Sequence, residues 1–245
     1  QTPSKKLIAF LGPDCGEAAV SGTNAAAADG GGLTIISAGA TADSLGNSTD
    51  YPNFVRVAPA AALYDSSVVY TAARFSWFRD AKAGIVYTND TMGTGSAAAM
   101  NATAQALGVQ VVVGVSIARN SASADVLESV AMLKKGGAET IFIAAPVPET
   151  RSVFSALHNL SWAPLAVLSN EAVGGEMQND TAAVEGAQGY LTMLPEPYPS
   201  AEARSFAAAF TSLTGRAAAN AWSTYAHDSV LLLGAALAHV ISSNT

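Results

Sequence analysis

Hydrophobic residues occur along this chain in two alternating patterns. Short apolar runs bounded by glycine, proline or polar residues are typical of buried strands, and longer segments with apolar residues at every third or fourth position are typical of helices. The runs predict strands over 7–11, 33–36, 54–57, 83–87, 109–116, 140–144, 165–168 and 189–194. The longer segments predict helices over 17–29, 63–78, 95–107, 124–135, 149–160, 201–214 and 221–241. This alternation predicts an α/β fold with doubly wound parallel sheets.

Two polar loops follow the first two predicted strands. The first loop, residues 12–16, precedes a helix, and the second loop, residues 37–41, has the sequence Ser-Ala-Gly-Ala-Thr. The carboxyl ends of neighbouring parallel strands meet at one edge of a sheet, where ligands bind in open α/β folds. The unpaired N–H groups at a helix start also favour an anion such as a carboxylate. We therefore predict that these loops form a ligand site.

The net charge argues against a nucleic-acid partner, and the lengths of the apolar runs argue against a membrane span. The 245 residues carry a net charge of −7, so no basic surface is expected that would neutralise the phosphates of a nucleic acid. The apolar segment 229–241 is shorter than the roughly 20 residues needed to span a membrane. Because it also contains His239, we expect a buried helix there.

The patterns that would indicate catalysis are incomplete. Residues 93–98, Gly-Thr-Gly-Ser-Ala-Ala, match the dinucleotide-binding pattern G-x-G-x-x-G/A after a predicted strand. Residues 111–120 lack the acidic residue that such a site uses to bind the ribose. The histidines show no metal-ligand spacing, and no G-x-S-x-G nucleophile pattern occurs. We expect no enzyme and no metal site, with a nucleotide-dependent enzyme as the weaker alternative.

Glycosylation acceptors favour exposure to the secretory pathway. The pattern N-x-Ser/Thr occurs at Asn47, Asn89, Asn101, Asn159 and Asn179, a mild excess over chance. The chain has one cysteine, so no disulfide forms within it. Its first six residues are polar and basic and do not resemble a signal peptide. We expect a chain excised from a longer extracellular protein.

Several motifs in order resemble one receptor family. GPDC, ISAGATADSL, YPNFVRVAP and AGIVYTND, followed by EGAQGYLTMLPEPYP and STYAHDSVLLLGAAL, resemble the type I periplasmic-binding-protein fold, or Venus flytrap, across nearly the whole chain. The pattern is most similar to ectodomains of receptor guanylyl cyclases and class C receptors, and to branched-chain amino-acid binding proteins. The resemblance implies a bilobed α/β fold.

The resemblance also implies how the chain divides. Lobe I would comprise 1–59 plus 196–245, and lobe II would comprise 60–195. The family's first strands precede position 7 and its last lobe I elements follow position 245, so lobe I is expected to be incomplete here. We expect partner segments of a longer protein to complete it, and a homodimer to form as in receptors of this kind.

Ligand-binding residues are implied by the same resemblance. Family members that bind amino acids hold the carboxylate with a serine in the first loop and with a backbone N–H and a threonine hydroxyl in the second. Thr41 matches that threonine, whereas the first loop has Cys15-Gly16-Glu17 in place of the usual serines. The full set of expected ligand contacts is Gly39, Ala40 and Thr41 from lobe I, and Asp90, Met92 and the ammonium acceptor Glu171 from lobe II.

Cys15 has two interpretations. The receptor guanylyl cyclases resemble this chain at GPDC, where their cysteine pairs with another upstream, which implies a disulfide to a partner outside this chain. A buried free thiol is the alternative. In the natriuretic-peptide receptors backbone N–H groups at this position hold a chloride ion, which implies an anion site at Asp14 and Cys15, although the Asp14 side chain disfavours it.

Taken together, these features predict an extracellular ligand-sensing domain. It would bind a small amino-acid-like molecule or a peptide, close its lobes on the ligand, and signal through a membrane-anchored parent receptor such as a guanylyl cyclase. An extracellular structural or adhesion module that keeps the fold without a ligand is the main alternative. The expected glycans are at Asn47, Asn101, Asn159 and Asn179.

Overall fold

The computed structural model describes residues 7–28, 30, 32–169, 180–187, 189–192, 200–215 and 221–243. The chain divides into two compact units. Unit 1 comprises Gln1–Ala60 and Pro195–Thr245, and unit 2 comprises Ala61–Leu194. Their boundaries lie beside those predicted for the two lobes, and the identity of each unit with a lobe stays a prediction.

Strands and helices alternate through most of the chain. The strands are β1 (Ala9–Leu11), β2 (Thr34–Ser37), β3 (Phe54–Arg56), β4 (Lys82–Thr88), β5 (Gln110–Ile117), β6 (Thr140–Ala144), β7 (Ala166–Ser169) and β8 (Tyr190–Thr192). The helices are α1 (Gly16–Ala28), α2 (Ala61–Ala72), α3 (Ser76–Arg79), α4 (Thr91–Ala106), α5 (Ser123–Lys135), α6 (Val147–Asn159), α7 (Thr181–Gly186), α8 (Ala201–Thr214) and α9 (Ala221–Ser243). All recorded strand pairings are parallel, which confirms the predicted α/β class.

Two predicted helices differ from the observed ones. The single helix predicted over 63–78 is two helices, α2 and α3, because Phe75 adopts an extended conformation between them and Phe78 then enters the core. The helix predicted over 95–107 begins at Thr91, so the glycine motif lies in its first turns. The short helix α7 and a 3-10 helix at Asp43–Gly46 were missed.

Unit 2 has a well-covered sheet. Its five strands are ordered β5-β4-β6-β7-β8. Every residue of the central strand β6 is buried, as expected for a parallel strand with helices on both faces. Ile141 and Ile143 pack into one apolar cluster with residues of α5 and α6, while Phe142 packs on the other face with residues of α2 and α4. This sheet gives the strand-end loops of unit 2 a rigid base.

Unit 1 has a smaller sheet, with strands ordered β1-β2-β3. Its core cluster is formed by Ala19, Ala40, Ala42 and Leu45. Large apolar residues of β1 remain exposed, and Phe10 is an example at 48% exposure. The three strands therefore bury far less apolar surface than the five of unit 2.

Residues 229–241 lie in helix α9, as predicted, but most of this helix is exposed and not buried. Ser229 is buried, but Val230, Leu231 and Ile241 are more than half exposed. A helix of 23 residues is about 34 Å long, whereas a three-residue strand spans about 10 Å, so the described strands of unit 1 are too short to cover the whole of α9.

Helix α9 is also longer than the apolar segment 229–241 from which no membrane span was expected. Among the described residues, Trp222–Ser243 is one helix long and apolar enough to do so, judged by length and composition alone. Helices of soluble proteins pass the same test, so this property is weak evidence for a membrane segment.

Candidate functional site

Ser37 joins the two predicted site loops in unit 1. This buried side chain at the end of β2 donates a hydrogen bond from Oγ to the carbonyl oxygen of Pro13, at 2.6 Å. The same Oγ accepts hydrogen bonds from the backbone N–H groups of Ala40, at 2.9 Å, and Gly39, at 3.3 Å. The loops after β1 and β2 therefore lie together at the carboxyl edge of the sheet, as their sequence positions predicted.

The small residues of these loops allow the loops to approach each other. A Cβ atom added to Gly39 would lie 3.0 Å from Cβ of Asp14, and one added to Gly16 would lie 3.0 Å from Cβ of Ala42. Both distances are tighter than ordinary van der Waals contact. The glycines are therefore explained by packing within the protein, without the need for a ligand to approach the backbone.

The second loop is held by further backbone contacts. Nη1 of Arg56 donates hydrogen bonds to the carbonyl oxygens of Thr41, at 3.2 Å, and Ala42, at 2.8 Å. Ala40 is fully buried, while Thr41 is partly exposed. Of the three residues expected to contact a ligand from this loop, Thr41 is thus the one whose side chain offers a hydroxyl near the surface.

A cavity of about 430 Å³ lies beside the first loop of unit 1. Its lining combines apolar side chains of both sheet and helix with the first loop. The lining residues are Leu11, Gly12, Pro13, Asp14, Ile36, Ala38, Ala226, Ser229 and Val230. The contribution of α9 to this cavity was not predicted from the sequence, although the small and polar residues in the first half of this apolar helix were a usable signal.

Cys15 is exposed, which contradicts the interpretation as a buried thiol. Its Sγ–H donates a hydrogen bond to Oε2 of Glu17 at 3.0 Å, and Asp14 is exposed beside it. An anion held by the backbone N–H groups of Asp14 and Cys15 would lie near these two carboxylates. The electrostatics of the first loop therefore oppose chloride at this position.

Asp90 organises the carboxyl edge of unit 2. It is the N-cap residue of α4, and its Oδ1 accepts hydrogen bonds from the N–H of Gly93, at 2.8 Å, and from Oγ1 of Thr88, at 3.0 Å. Its Oδ2 accepts a hydrogen bond from Nε of Arg119. Burial alone would raise the pKa of Asp90, but the hydrogen bonds from Gly93, Arg119 and Thr88, together with the Arg119 charge, hold that pKa below its usual value of 3.8.

This arrangement explains the glycine motif at 93–98 without a nucleotide. A Cβ atom added to Gly93 would lie 2.1 Å from the carbonyl oxygen of Thr88, so the helix start packs directly on the strand end. The Asp90 carboxylate already occupies the start of α4, where a phosphate would otherwise bind. A nucleotide phosphate would therefore meet a negative charge there.

The loop after β5 carries a charged group that the sequence analysis did not identify. Arg119 pairs with Asp90, and its side chain is 46% exposed. The next residue, Asn120, has a φ of 57° and donates its backbone N–H to Oε1 of the buried Glu149, at 2.9 Å. An arginine three residues beyond the predicted strand 109–116 was a usable signal, because Asp90 lies three residues beyond the predicted strand 83–87.

The remaining predicted residues lie in different places. Glu171 and Asn179 lie outside the described residues. Met92 is partly buried in the first turn of α4. Asn47 and Asn159 are exposed, whereas Asn101 is partly buried and helps line a cavity of about 360 Å³ in unit 2.

Parallel sheets with polar loops at their carboxyl edges, and a cavity beside one such edge, define a binding domain of the α/β class. A family model described as "Receptor family ligand binding region" matches residues 2–245. The chain belongs to this family of ligand-binding domains. No curated protein sequence matches it significantly.

Solved structures share the fold. An ABC transporter substrate-binding protein from Desulfitobacterium hafniense is 18% identical with a TM-score of 0.69, and the match covers 92% of this chain and 62% of that one. The structure of such a protein from the same organism in complex with Leu is 19% identical with a TM-score of 0.70, covering 94% and 64%. A solute-binding protein of an R. palustris ABC transporter, in complex with 4-hydroxybenzoate, is 18% identical with a TM-score of 0.71, covering 94% and 62%.

These likenesses confirm the predicted type I periplasmic-binding-protein fold. The chain spans less than two thirds of the length of each of these three proteins. Among the described residues, the sheet of unit 1 has three strands and that of unit 2 has five.

Proposed function

We propose that the chain is an extracellular ligand-sensing domain of a receptor and binds a small organic acid. The observation that carries this proposal is the edge of unit 1, where Ser37 joins two strand-end loops beside a cavity of about 430 Å³. That volume is within the range of about 300–1,000 Å³ typical of small-molecule pockets. Membership of a receptor ligand-binding family supports the receptor context.

The ligand class follows from the cavity and from the neighbours. Leu11, Ile36 and Val230 give the cavity an apolar wall, while the loop beside it is polar. The ligands named for two solved neighbours, leucine and 4-hydroxybenzoate, each combine a carboxylate with an apolar body. We therefore favour an amino-acid-like acid over a peptide, which is the second class of ligand.

In the proposed mechanism the ligand stabilises a closed arrangement of two lobes. It does so in proportion to its higher affinity for that state, and in a receptor dimer closure would change the contact between the subunits. Membrane anchoring through a parent chain, such as a receptor guanylyl cyclase, belongs to the same proposal. The proposed ligand contacts are Gly39, Ala40, Thr41, Asp90, Met92 and Glu171.

Two covalent modifications belong to the same proposal. The exposed thiol of Cys15 suits a disulfide to a cysteine outside this chain. The exposed Asn47 and Asn159 suit glycans, as does Asn179 by sequence, while Asn101 is less accessible. Expression in secretory cells, followed by enzymatic removal of N-glycans, would reduce the apparent mass of the chain if these sites are used.

The test is ligand-dependent thermal stabilisation. The 245-residue chain is heated with L-leucine, with 4-hydroxybenzoate, and then with the other amino acids and small aromatic acids, each at millimolar concentration. A ligand at 100 times its Kd stabilises the folded state by about 2.7 kcal/mol, which raises Tm measurably. An unchanged Tm with every compound would overturn the proposal.

An extracellular structural module is the second candidate. It is favoured by the contacts of Gly39 and Ala40, whose N–H groups are already bonded to Ser37. A structural module would show no stabilisation with any compound in the same panel, and it would retain its melting behaviour after Thr41→Ala. Ligand-dependent stabilisation that Thr41→Ala weakens would exclude this candidate.

A further inference from the structure

Strand β5 forms an open edge of the sheet in unit 2. It is the first strand in the order β5-β4-β6-β7-β8, and among the described residues it pairs with β4 on one side only. With eight residues, it is also the longest strand that the structure describes. An edge strand presents a row of backbone N–H and C=O groups that have no partner in the sheet, so another strand can pair with them.

The sequence of β5 lacks the residues that usually protect such an edge. Natural edge strands are commonly short, or they carry charged residues or proline, which hinder pairing with another chain. β5 has the sequence Gln-Val-Val-Val-Gly-Val-Ser-Ile, without a charged residue or a proline. A register irregularity opposite Ala83 and Gly84 disturbs its start, but residues 113–117 pair regularly with 84–88. Five residues in a regular strand conformation are therefore open to a further strand.

A groove lies beside this edge, on the face of the sheet that α4 covers. The cavity of about 360 Å³ in unit 2 is lined by α4, β4 and β5, and the β5 residues in its wall are Val111 and Gly114. A Cβ atom added to Gly114 would have no neighbour within 4 Å. The helix contributes the small side chains of Ala97 and Ala98. The side chains of a strand added to β5 would therefore have room beside it.

The charge of this face favours a second copy of the chain as the partner. Neither β5 nor α4 contains Asp, Glu, Lys, Arg or His. On the opposite face, α5 has two acidic and two basic residues, so it carries no net charge. The whole chain has a net charge of −7, and two copies repel each other overall. A neutral face is where two copies approach with the least repulsion, whereas a strongly charged partner would find no complementary charge there.

The size of the edge is sufficient for a weak dimer. Eight residues at about 3.3 Å each make it about 26 Å long. The helices α4 and α5 pack on the two faces of β5, and each is about 10 Å across, so the edge is about 20 Å thick. Its projected area is roughly 500 Å², slightly below the roughly 600 Å² per partner at the lower end of stable interfaces. Association is therefore expected at about micromolar concentrations.

We propose that two copies of this chain associate through β5, edge to edge about a twofold axis. The two β5 strands then run antiparallel, so each offers the other the same row of hydrogen-bonding groups, and the two sheets become continuous. The α4 grooves of the two copies lie beside the joined strands and receive side chains from the opposite copy. This inference goes beyond the proposed function and requires no ligand.

The test measures association of the 245-residue chain and locates the interface. Sedimentation velocity from about 1 to about 100 µM compares the wild type with Ser116→Lys and Ser48→Lys. Ser116 is an exposed residue of β5, so a lysine there places a charge on the edge without entering the core. Ser48 is exposed in unit 1, and Ser48→Lys is the matched control because it adds the same charge away from β5. Hydrogen exchange of the wild type is measured at both ends of the concentration range.

The expected result is specific to β5. The wild type should dimerise within this range, and Ser116→Lys should raise the dimer Kd by at least about 10-fold, because it brings like charges together across the joined edges. Ser48→Lys should dimerise as the wild type does. The N–H groups of β5 that point away from β4 should exchange more slowly at the high concentration, because pairing gives them acceptors.

The contrary results are equally specific. A wild type that stays monomeric over the whole range would overturn the inference. So would a dimer that Ser116→Lys leaves unchanged, or one in which β5 exchanges equally fast at both concentrations, since association would then involve another surface, such as the exposed part of α9. If Ser116→Lys does not fold, hydrogen exchange of the wild type decides alone. Because no ligand is added, this inference and the proposed function can each fail while the other stands.

Discussion

Gly93→Ala tests whether the glycine motif at 93–98 exists for packing. Gly93 lies in the first turn of α4, directly against the end of β4. A Cβ atom there would lie 2.1 Å from the carbonyl oxygen of Thr88 and 2.3 Å from its Oγ1. Ordinary contact begins near 3.4 Å, so the first turn of the helix would have to move by about 1 Å.

Three contributions set the size of the effect on unfolding. Overpacking of a buried contact costs about 1–3 kcal/mol. The movement also weakens the hydrogen bond from the Gly93 N–H to Asp90, and loss of an N-cap costs about 1 kcal/mol. Alanine recovers about 1 kcal/mol through its higher helix propensity. We expect a net loss of about 2 kcal/mol in the free energy of unfolding of unit 2.

Urea unfolding, followed by circular dichroism, measures this difference. Gly114→Ala is the matched control, because Gly114 lies in β5 of the same unit and a Cβ atom there would have no neighbour within 4 Å. That variant should be neutral or slightly more stable, since alanine loses less backbone entropy on folding. If Gly93→Ala unfolds at the same urea concentration as the wild type or a higher one, the packing explanation is wrong.

Two further predictions concern the side chains that build the two edges. Ser37→Ala should lower the free energy of unfolding by about 2–3 kcal/mol, because the N–H of Ala40 and the carbonyl of Pro13 lose a buried partner. Urea unfolding measures this difference, and Ser48→Ala, at an exposed position, is the control. Asp90 has a lowered pKa in the folded state, so its stabilising contribution is present above its usual value of 3.8 and is lost as the pH falls through the lowered one. The stability difference between wild type and Asp90→Asn, measured by urea unfolding from pH 7 to pH 3, should therefore shrink below about pH 4 and stay constant above pH 5.

Local periodicity was sufficient to predict most of the fold. The apolar run at 140–144 was recognisable as a buried strand, and the structure places it at the centre of the sheet of unit 2. The adjacency of the loops after β1 and β2 followed from the rule that parallel strands end at one edge. The first feature depends on residues that are close in sequence. The second depends on the parallel topology that alternating strands and helices impose.

Features that depend on distant residues could not be predicted in this way. The sequence shows an apolar segment at 229–241, but its burial depends on how much sheet covers it, and the described part of unit 1 offers three short strands. Arg119 forms its ion pair with Asp90, 29 positions earlier in the sequence. The glycines of the loops illustrate the same limit, since their neighbours Asp14 and Ala42 belong to the opposite loop.

The two edges use their polar groups differently, and this difference bears on specificity. In unit 1, Ser37 satisfies the N–H groups of the second loop internally, so that edge contributes a fixed shape and an apolar wall. In unit 2, Asp90 caps α4 and pairs with Arg119, whose side chain is the more exposed of the two. Under the proposed function, the apolar wall of the unit 1 cavity sets which apolar body is accepted. Substitutions in that wall, such as Ile36→Ala, should then change the order in which the acids of the panel raise Tm.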